Sequence, residues 1–264
     1  VNTADLFIGL NGTTGNMLVD GGGSLSVGNG PASTLNIGIR LTAGSGNSSG
    51  ALDLSADDSF VANVGRVRVG VDASSGGSGT HIGTLKLASN NTITASTYFL
   101  VGDNPNSGNG TSVSSVEFGD GTNTILTPVM TIGGRKSFAS ATIRAGGTLI
   151  LSNSTGRTDL NVGINDVGTG STPSSTLDLS AGTFIGYLGD LVIGRKTGGG
   201  AGGNVGNSIG TMTLGTSASN RIDVNSITIG SRNDTTGTGN PTASGALTFN
   251  GGQMIVSSNI NIGT

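Results

Sequence analysis

The sequence predicts an all-β fold, a right-handed parallel β-helix (β-solenoid) of about eight three-stranded coils of ~32 residues, with near-zero helix. Three observations carry that expectation. A four-residue motif (apolar, any residue, apolar, glycine) recurs nine times from one end of the chain to the other. Two further apolar strand segments follow it in each period. The stretches between them are built from Gly, Ser, Thr, Asn and Asp, residues that turn a chain and tolerate positive φ.

The motif opens as Leu6-Phe7-Ile8-Gly9, and its glycine returns at Gly38, Gly70, Gly102, Gly133, Gly163, Gly194, Gly230 and Gly263. Successive glycines lie 29, 32, 32, 31, 30, 31, 36 and 33 residues apart. Strand side chains alternate between faces, so the first and third residues of each motif should point inward and the second outward. The glycine then ends the strand at a corner, where positive φ or a neighbouring backbone leaves no room for a Cβ.

The second strand of each coil reads as Leu52-Asp53-Leu54, Leu85-Lys86-Leu87, Val116-Glu117-Phe118, Leu177-Asp178-Leu179, Met212-Thr213-Leu214 and Leu247-Thr248-Phe249. The third includes Phe60-Val61, Ile125-Leu126, Leu149-Ile150-Leu151, Phe184-Ile185, Ile222-Asp223-Val224 and Met254-Ile255-Val256. No window repeats apolar residues at helical spacing, and glycine interrupts every candidate helix. One coil cannot bury three apolar strands by itself. Stacking each strand in parallel on its equivalent in the next coil makes a continuous apolar column, and such connections are right-handed. Eight coils at the strand spacing give a body of roughly 38 Å. The repeat has no interruption, so residues 1–264 are expected to form a single domain.

The segments 43–50, 73–80, 103–112, 165–175, 195–207 and 231–244 vary in length at one position of the period, so they should emerge from one corner. Their composition suits solvated spacers, while their common edge is where a solenoid would carry a binding surface.

Composition bounds the function. Glycine and proline together make about a fifth of the chain, below the level that signals disorder. With 12 basic and 15 acidic residues and no basic cluster, the chain offers no stripe to neutralise a row of phosphates, which argues against nucleic acid as a partner. There is no Trp and only 2 Tyr, too few for a platform of stacking aromatics. Cysteine is absent, in keeping with an exported protein. No apolar run approaches the roughly 18 residues that cross a bilayer, so membrane insertion is not expected. The first residues lack a basic stretch followed by an apolar core, and any export signal would lie outside this chain.

The residue types that carry catalytic, metal or cofactor chemistry are few and scattered. His81 is the single histidine and reads as an ordinary surface or turn residue. The outward positions of the second strand run Asp53, Lys86, Glu117, Arg144, Asp178, Thr213 and Thr248, a ladder of opposite charges on a solvated sheet rather than the clustered acids of a glycosidase. Asp103-Asn104-Pro105-Asn106-Ser107-Gly108 echoes part of a calcium loop and Asp57-Asp58 is an acidic pair, but neither completes a ligand set. The outward motif residues, from Phe7 and Asn36 to Thr228 and Asn261, are too mixed for a flat ice-binding face. The expectation is no enzyme, no metal and no cofactor.

Gly83-Thr84-Leu85-Lys86-Leu87 and Gly147-Thr148-Leu149-Ile150-Leu151, with Gly210-Thr211-Met212-Thr213-Leu214 as a variant, resemble the β-strand repeats of bacterial autotransporter passengers and related large surface proteins. The resemblance covers nearly the whole chain. It implies a parallel β-solenoid in an extracellular or cell-surface setting, where structural and adhesive roles are common.

Neither end shows a cap helix, a proline-rich blocker or a charge cluster. Ile260 and Ile262 are therefore expected to continue onto Leu6 and Ile8 of another copy, making a head-to-tail homopolymer by strand addition. The alternative is a fragment of a longer adhesin or passenger. A polysaccharide-acting β-helix enzyme is the reading from another class. Besides the chain itself, a surface glycan or a neighbouring filament stands as a further candidate partner.

Overall fold

A computed structural model describes residues 2–74, 79–105, 110–166, 172–197, 206–233 and 242–263. The chain is a parallel β-solenoid, and no helix occurs among the described residues. Each turn lays one strand on each of three faces. Face A carries the glycine motif, face B the second strand and face C the third.

Face B is an eight-stranded sheet in strict chain order: Thr14–Leu18, Ser48–Asp53, His81–Lys86, Ser112–Phe118, Ser137–Ile143, Ser174–Leu179, Ser208–Leu214 and Ala243–Phe249. Its eight strands span seven stacking intervals, so the solenoid has about seven turns rather than the eight expected. Every pairing between these strands is parallel, and on this face the register is unbroken: Leu52, Leu85, Val116, Ala141, Leu177, Met212 and Leu247 form one inward column.

Faces A and C are not separate sheets. In most turns the chain bends from C to A without leaving the ladder, through the long strands Ser24–Ile39, Ser59–Val71, Asn90–Asp103, Thr183–Thr197 and Arg221–Ile229. Bulges absorb the bend, with register shifts between Val27 and Thr34 and between Val64 and Arg66. In other turns the strand divides, at Thr148–Ser152 and Thr158–Asn165, at Gln253–Val256 and Ile260–Ile262, and, in the turn between the long strands, into Thr122–Leu126 and Val129–Ile132. Pro128 lies between the last two, and it has no N–H to donate to the ladder.

The predicted alternation holds. Leu35, Ile37, Val67, Val69, Phe99, Val101, Met130, Ile132, Leu160 and Val162 are all 0% exposed. Phe60, Phe118 and Phe184 join them, and the core is a single apolar cluster running the length of the solenoid. The outward middle positions are less exposed than a free sheet face would leave them: Asn36 is buried, held by Arg68 Nη1 on its Oδ1, while Phe7 is open.

The corner from A to B is where glycine is needed. All nine motif glycines have φ between 62° and 77°. At Gly38 a Cβ would also fall on the Ile82 carbonyl and the Gly50 amide of face B. A second small-residue column faces the first: Gly15, Gly50, Gly83, Ser114, Ala139, Ser175, Gly210 and Gly245 are successive Cα partners. The two sheets therefore meet backbone to backbone along this edge.

One placement from the sequence is corrected. Arg144 does not belong to the outward row of face B; Thr142 pairs with Glu117 on one side and Asp178 on the other. The apolar pair of that strand is Ala141 and Ile143, and an alanine is easily passed over as an inward residue. Arg144 lies past the strand, where it donates to the carbonyls of Ser55 (3.0 Å) and Leu87 (2.8 Å) and approaches Glu117.

Candidate functional site

The residues proposed for self-assembly lie at opposite ends of the solenoid. At one end Leu6 pairs with Leu35 and Ile8 with Ile37, leaving Leu6 half-buried and Ile8 buried. At the other Ile260 pairs with Ile227 and Ile262 with Ile229, and here the column is bare: Ile260 is 53% and Ile262 71% exposed, against 1% for Ile227. Leu247, Phe249, Met254 and Val256 are only partly covered at this end, as are Met17 and Val19 at the first.

The ends are not in the same phase. The first strand, Asn2–Thr3, sits on face C against Ser26 and Val27, and the last, Ile260–Ile262, on face A. Placing one copy after another in continuous register joins faces A and C and leaves face B one strand short at the junction.

His81 is not a surface residue. It opens a face B strand with its side chain fully buried, and Nε2 lies 3.1 Å from Oδ2 of Asp72, itself fully buried. His81 Nδ1 has no partner among the described residues, so Nε2 carries the proton towards the carboxylate. Burial opposes charge on Asp72, but the His81 contact and the hydroxyl and amide of Ser74 outweigh it and hold its carboxyl well below the usual range. Lys136 is buried close by; burial pulls its ammonium down, and the charges of Asp72 and Asp103 partly restore it. The polar groups buried at this corner find partners in one another. With no exposed atom on His81 or Asp72, this cluster braces the corner and is closed to a substrate.

Asp103 of the calcium-like loop is already engaged: Arg135 donates Nε to its Oδ1 at 3.0 Å and Nη2 to its Oδ2. Bonding to Asp103 pushes the Arg135 guanidinium above its ordinary value despite burial. Asn106, Ser107 and Gly108 lie outside the described residues, as do parts of the variable segments. Asp57 is buried and accepts from the Gly23 amide, a turn role. The charge ladder of face B is real where it begins, with Lys86 Nζ 2.9 Å from Asp53 Oδ2.

Sequence reading passed over a groove on the outer side of face A. It has a volume of about 280 Å³ and an apolar floor of Leu100, Val129 and Ile164 beside the ring of Tyr98. Arg135 lies at one end, between Asp103 and Asp166, the latter at 3.6 Å from Nε. On the preceding turn Arg66 and Arg68 flank the Tyr98 ring, their guanidinium carbons 5.9 and 5.7 Å from its centre. Arg68 Nε donates to the Tyr98 hydroxyl at 2.9 Å. The available signal was Arg66-Val67-Arg68 inside a motif strand, two outward arginines in a chain with few charges.

Comparison with protein-family profiles, with curated proteins and with solved structures finds no match to this chain.

Proposed function

We propose that the chain is an extracellular structural protein without catalytic function, a solenoid segment that adds to further copies of itself end to end and so builds a filament or surface fibre. The observation that supports it is the bare end rung. Ile260 and Ile262 leave an apolar column and a row of strand hydrogen-bonding groups open to water, the surface a parallel strand would cover. Full burial of two such side chains is worth about 1.5–3 kcal/mol each. A repeated head-to-tail contact of this kind does not close on itself and gives a fibre.

A second reading has its own support. The strand missing from face B at a junction between copies is what a continuing repeat would lay down next, and the Gly-Thr-Leu-x-Leu strands resemble those of long autotransporter-like passengers. In that reading the same end rung is covered by more of the same solenoid within a longer adhesin.

Electron microscopy over a range of protein concentrations tests the first reading. Thin fibres whose axial repeat is about eight or nine strand spacings, roughly 38–43 Å, are expected, and Ile260→Lys with Ile262→Lys should abolish them while leaving the circular dichroism of the rod unchanged. Short monodisperse rods at every concentration would sink end-to-end stacking and leave the longer-passenger reading.

A further inference from the structure

The groove on face A carries an inference that does not depend on how the ends assemble. Arg66 and Arg68 stand two residues apart on the same side of one strand, so their side chains are neighbours. Among the described residues neither has a carboxylate within 4.0 Å. Two like charges side by side without a counter-ion repel each other, and an anion held between them would be attracted by both. The guanidinium fork suits a carboxylate in particular. Tyr98 divides the two regions: the arginines belong to the preceding turn, while the groove continues on the following one. Because the Tyr98 oxygen accepts from Arg68, its phenolic proton remains available to a ligand.

The groove itself favours a ring over a linear chain. Its floor is apolar and short, and its volume of about 280 Å³ is at the small end for ligand sites. Its edges carry the hydroxyls of Thr97 and Thr131, and Asp166 at the far end is half exposed, an acceptor for hydroxyl donors. A linear acidic peptide has no flat ring face to lay on that floor.

We propose that this groove is a binding subsite for an acidic polysaccharide, taking one or two uronate residues. The apolar face of a pyranose ring lies on Tyr98 and Leu100, its carboxylate points towards Arg66 and Arg68, and its hydroxyls meet Thr131 and the carboxylate of Asp166. The contact is a lateral one, on the side of the rod, and it leaves both ends free.

The test is a titration of the intact protein with a galacturonate trimer, with a neutral galactose trimer and with a tri-glutamate peptide, followed by calorimetry and by amide chemical shifts. The acidic sugar should bind with shifts confined to residues 66–68, 97–103, 129–135 and 164–166, and the affinity should fall as salt is raised. Arg66→Ala with Arg68→Ala should weaken binding at least tenfold, with an unchanged melting temperature, while Arg221→Ala on face C should not. The shift map on the unaltered protein stands even if the double variant melts early. No shifts at millimolar sugar, equal binding of the neutral trimer, equal binding of the peptide, or a double variant that binds like the parent would each overturn the proposal.

Discussion

Gly38 and Gly230 offer a controlled comparison, because they share a backbone conformation and differ in surroundings. Their φ values are 64° and 66°. A Cβ at Gly38 would overlap the Ile82 carbonyl of face B, whereas at Gly230 the nearest atoms are the Gly245 nitrogen at 3.5 Å and the Ala243 oxygen at 3.7 Å, ordinary contacts. Gly→Ala at either site places a side chain in left-handed conformation, which costs roughly 1–2 kcal/mol, and restricting the unfolded chain returns about 0.4–1 kcal/mol. Gly230→Ala should therefore cost only about 1 kcal/mol. At Gly38 the two sheets must also move apart along their shared edge, and overpacking of this kind costs about 1–3 kcal/mol more. The assay is hydrogen exchange of the flanking strands together with urea unfolding, since a repeat chain opens locally and a single global free energy can hide the effect. Gly38→Ala should lower protection of residues 35–37 and 49–52 and shift the midpoint clearly further than Gly230→Ala. Equal effects from the two substitutions would refute the claim that close approach of the sheets, and not φ alone, selects glycine.

Three further outcomes follow from the contacts described. The Asp72 carboxyl is held below its unfolded value of about 3.9, so its contribution to stability is present above that pH and drains away as pH falls below it; Asp72→Asn should flatten the acid limb of a stability–pH curve, and an unchanged limb would show that the pair contributes nothing. Arg144→Ala should cost about 1–3 kcal/mol, because two carbonyls from two other turns lose a charged donor, and the loss should appear first in exchange at residues 55 and 87. Phe99→Ala removes a fully buried ring from the middle of the column and should cost about 3–5 kcal/mol by thermal or denaturant unfolding.

Period and alternation were legible because each is a repeated event. Nine glycines at even spacing locate the strands of face A, and the apolar pairs after them locate faces B and C. Features that depend on a single residue were not. Ala141 hid one strand's register and sent Arg144 to the wrong row. His81 looked like a turn residue because a buried corner built of polar residues has no hydrophobic signature, and its buried partner Asp72 lies nine positions away. The second column of small residues escaped notice for a different reason: Ser114, Ala139 and Ser175 replace glycine in the middle turns, so no single residue type repeats. The groove on face A arises from three neighbouring turns together, and no stretch of sequence contains all of it.

The parallel stacking has a mechanical consequence. Strands lie across the long axis and the hydrogen bonds between them run along it, so tension applied at the two ends pulls on those bonds lengthwise and peels strands away in succession instead of shearing a whole sheet at once. Each detached turn of about 32 residues would unspool to roughly 105–115 Å while giving up one strand spacing of about 4.8 Å. Under load the rod would therefore lengthen more than twentyfold, turn by turn, at nearly constant force, and rewind on release from whichever turn was still wound.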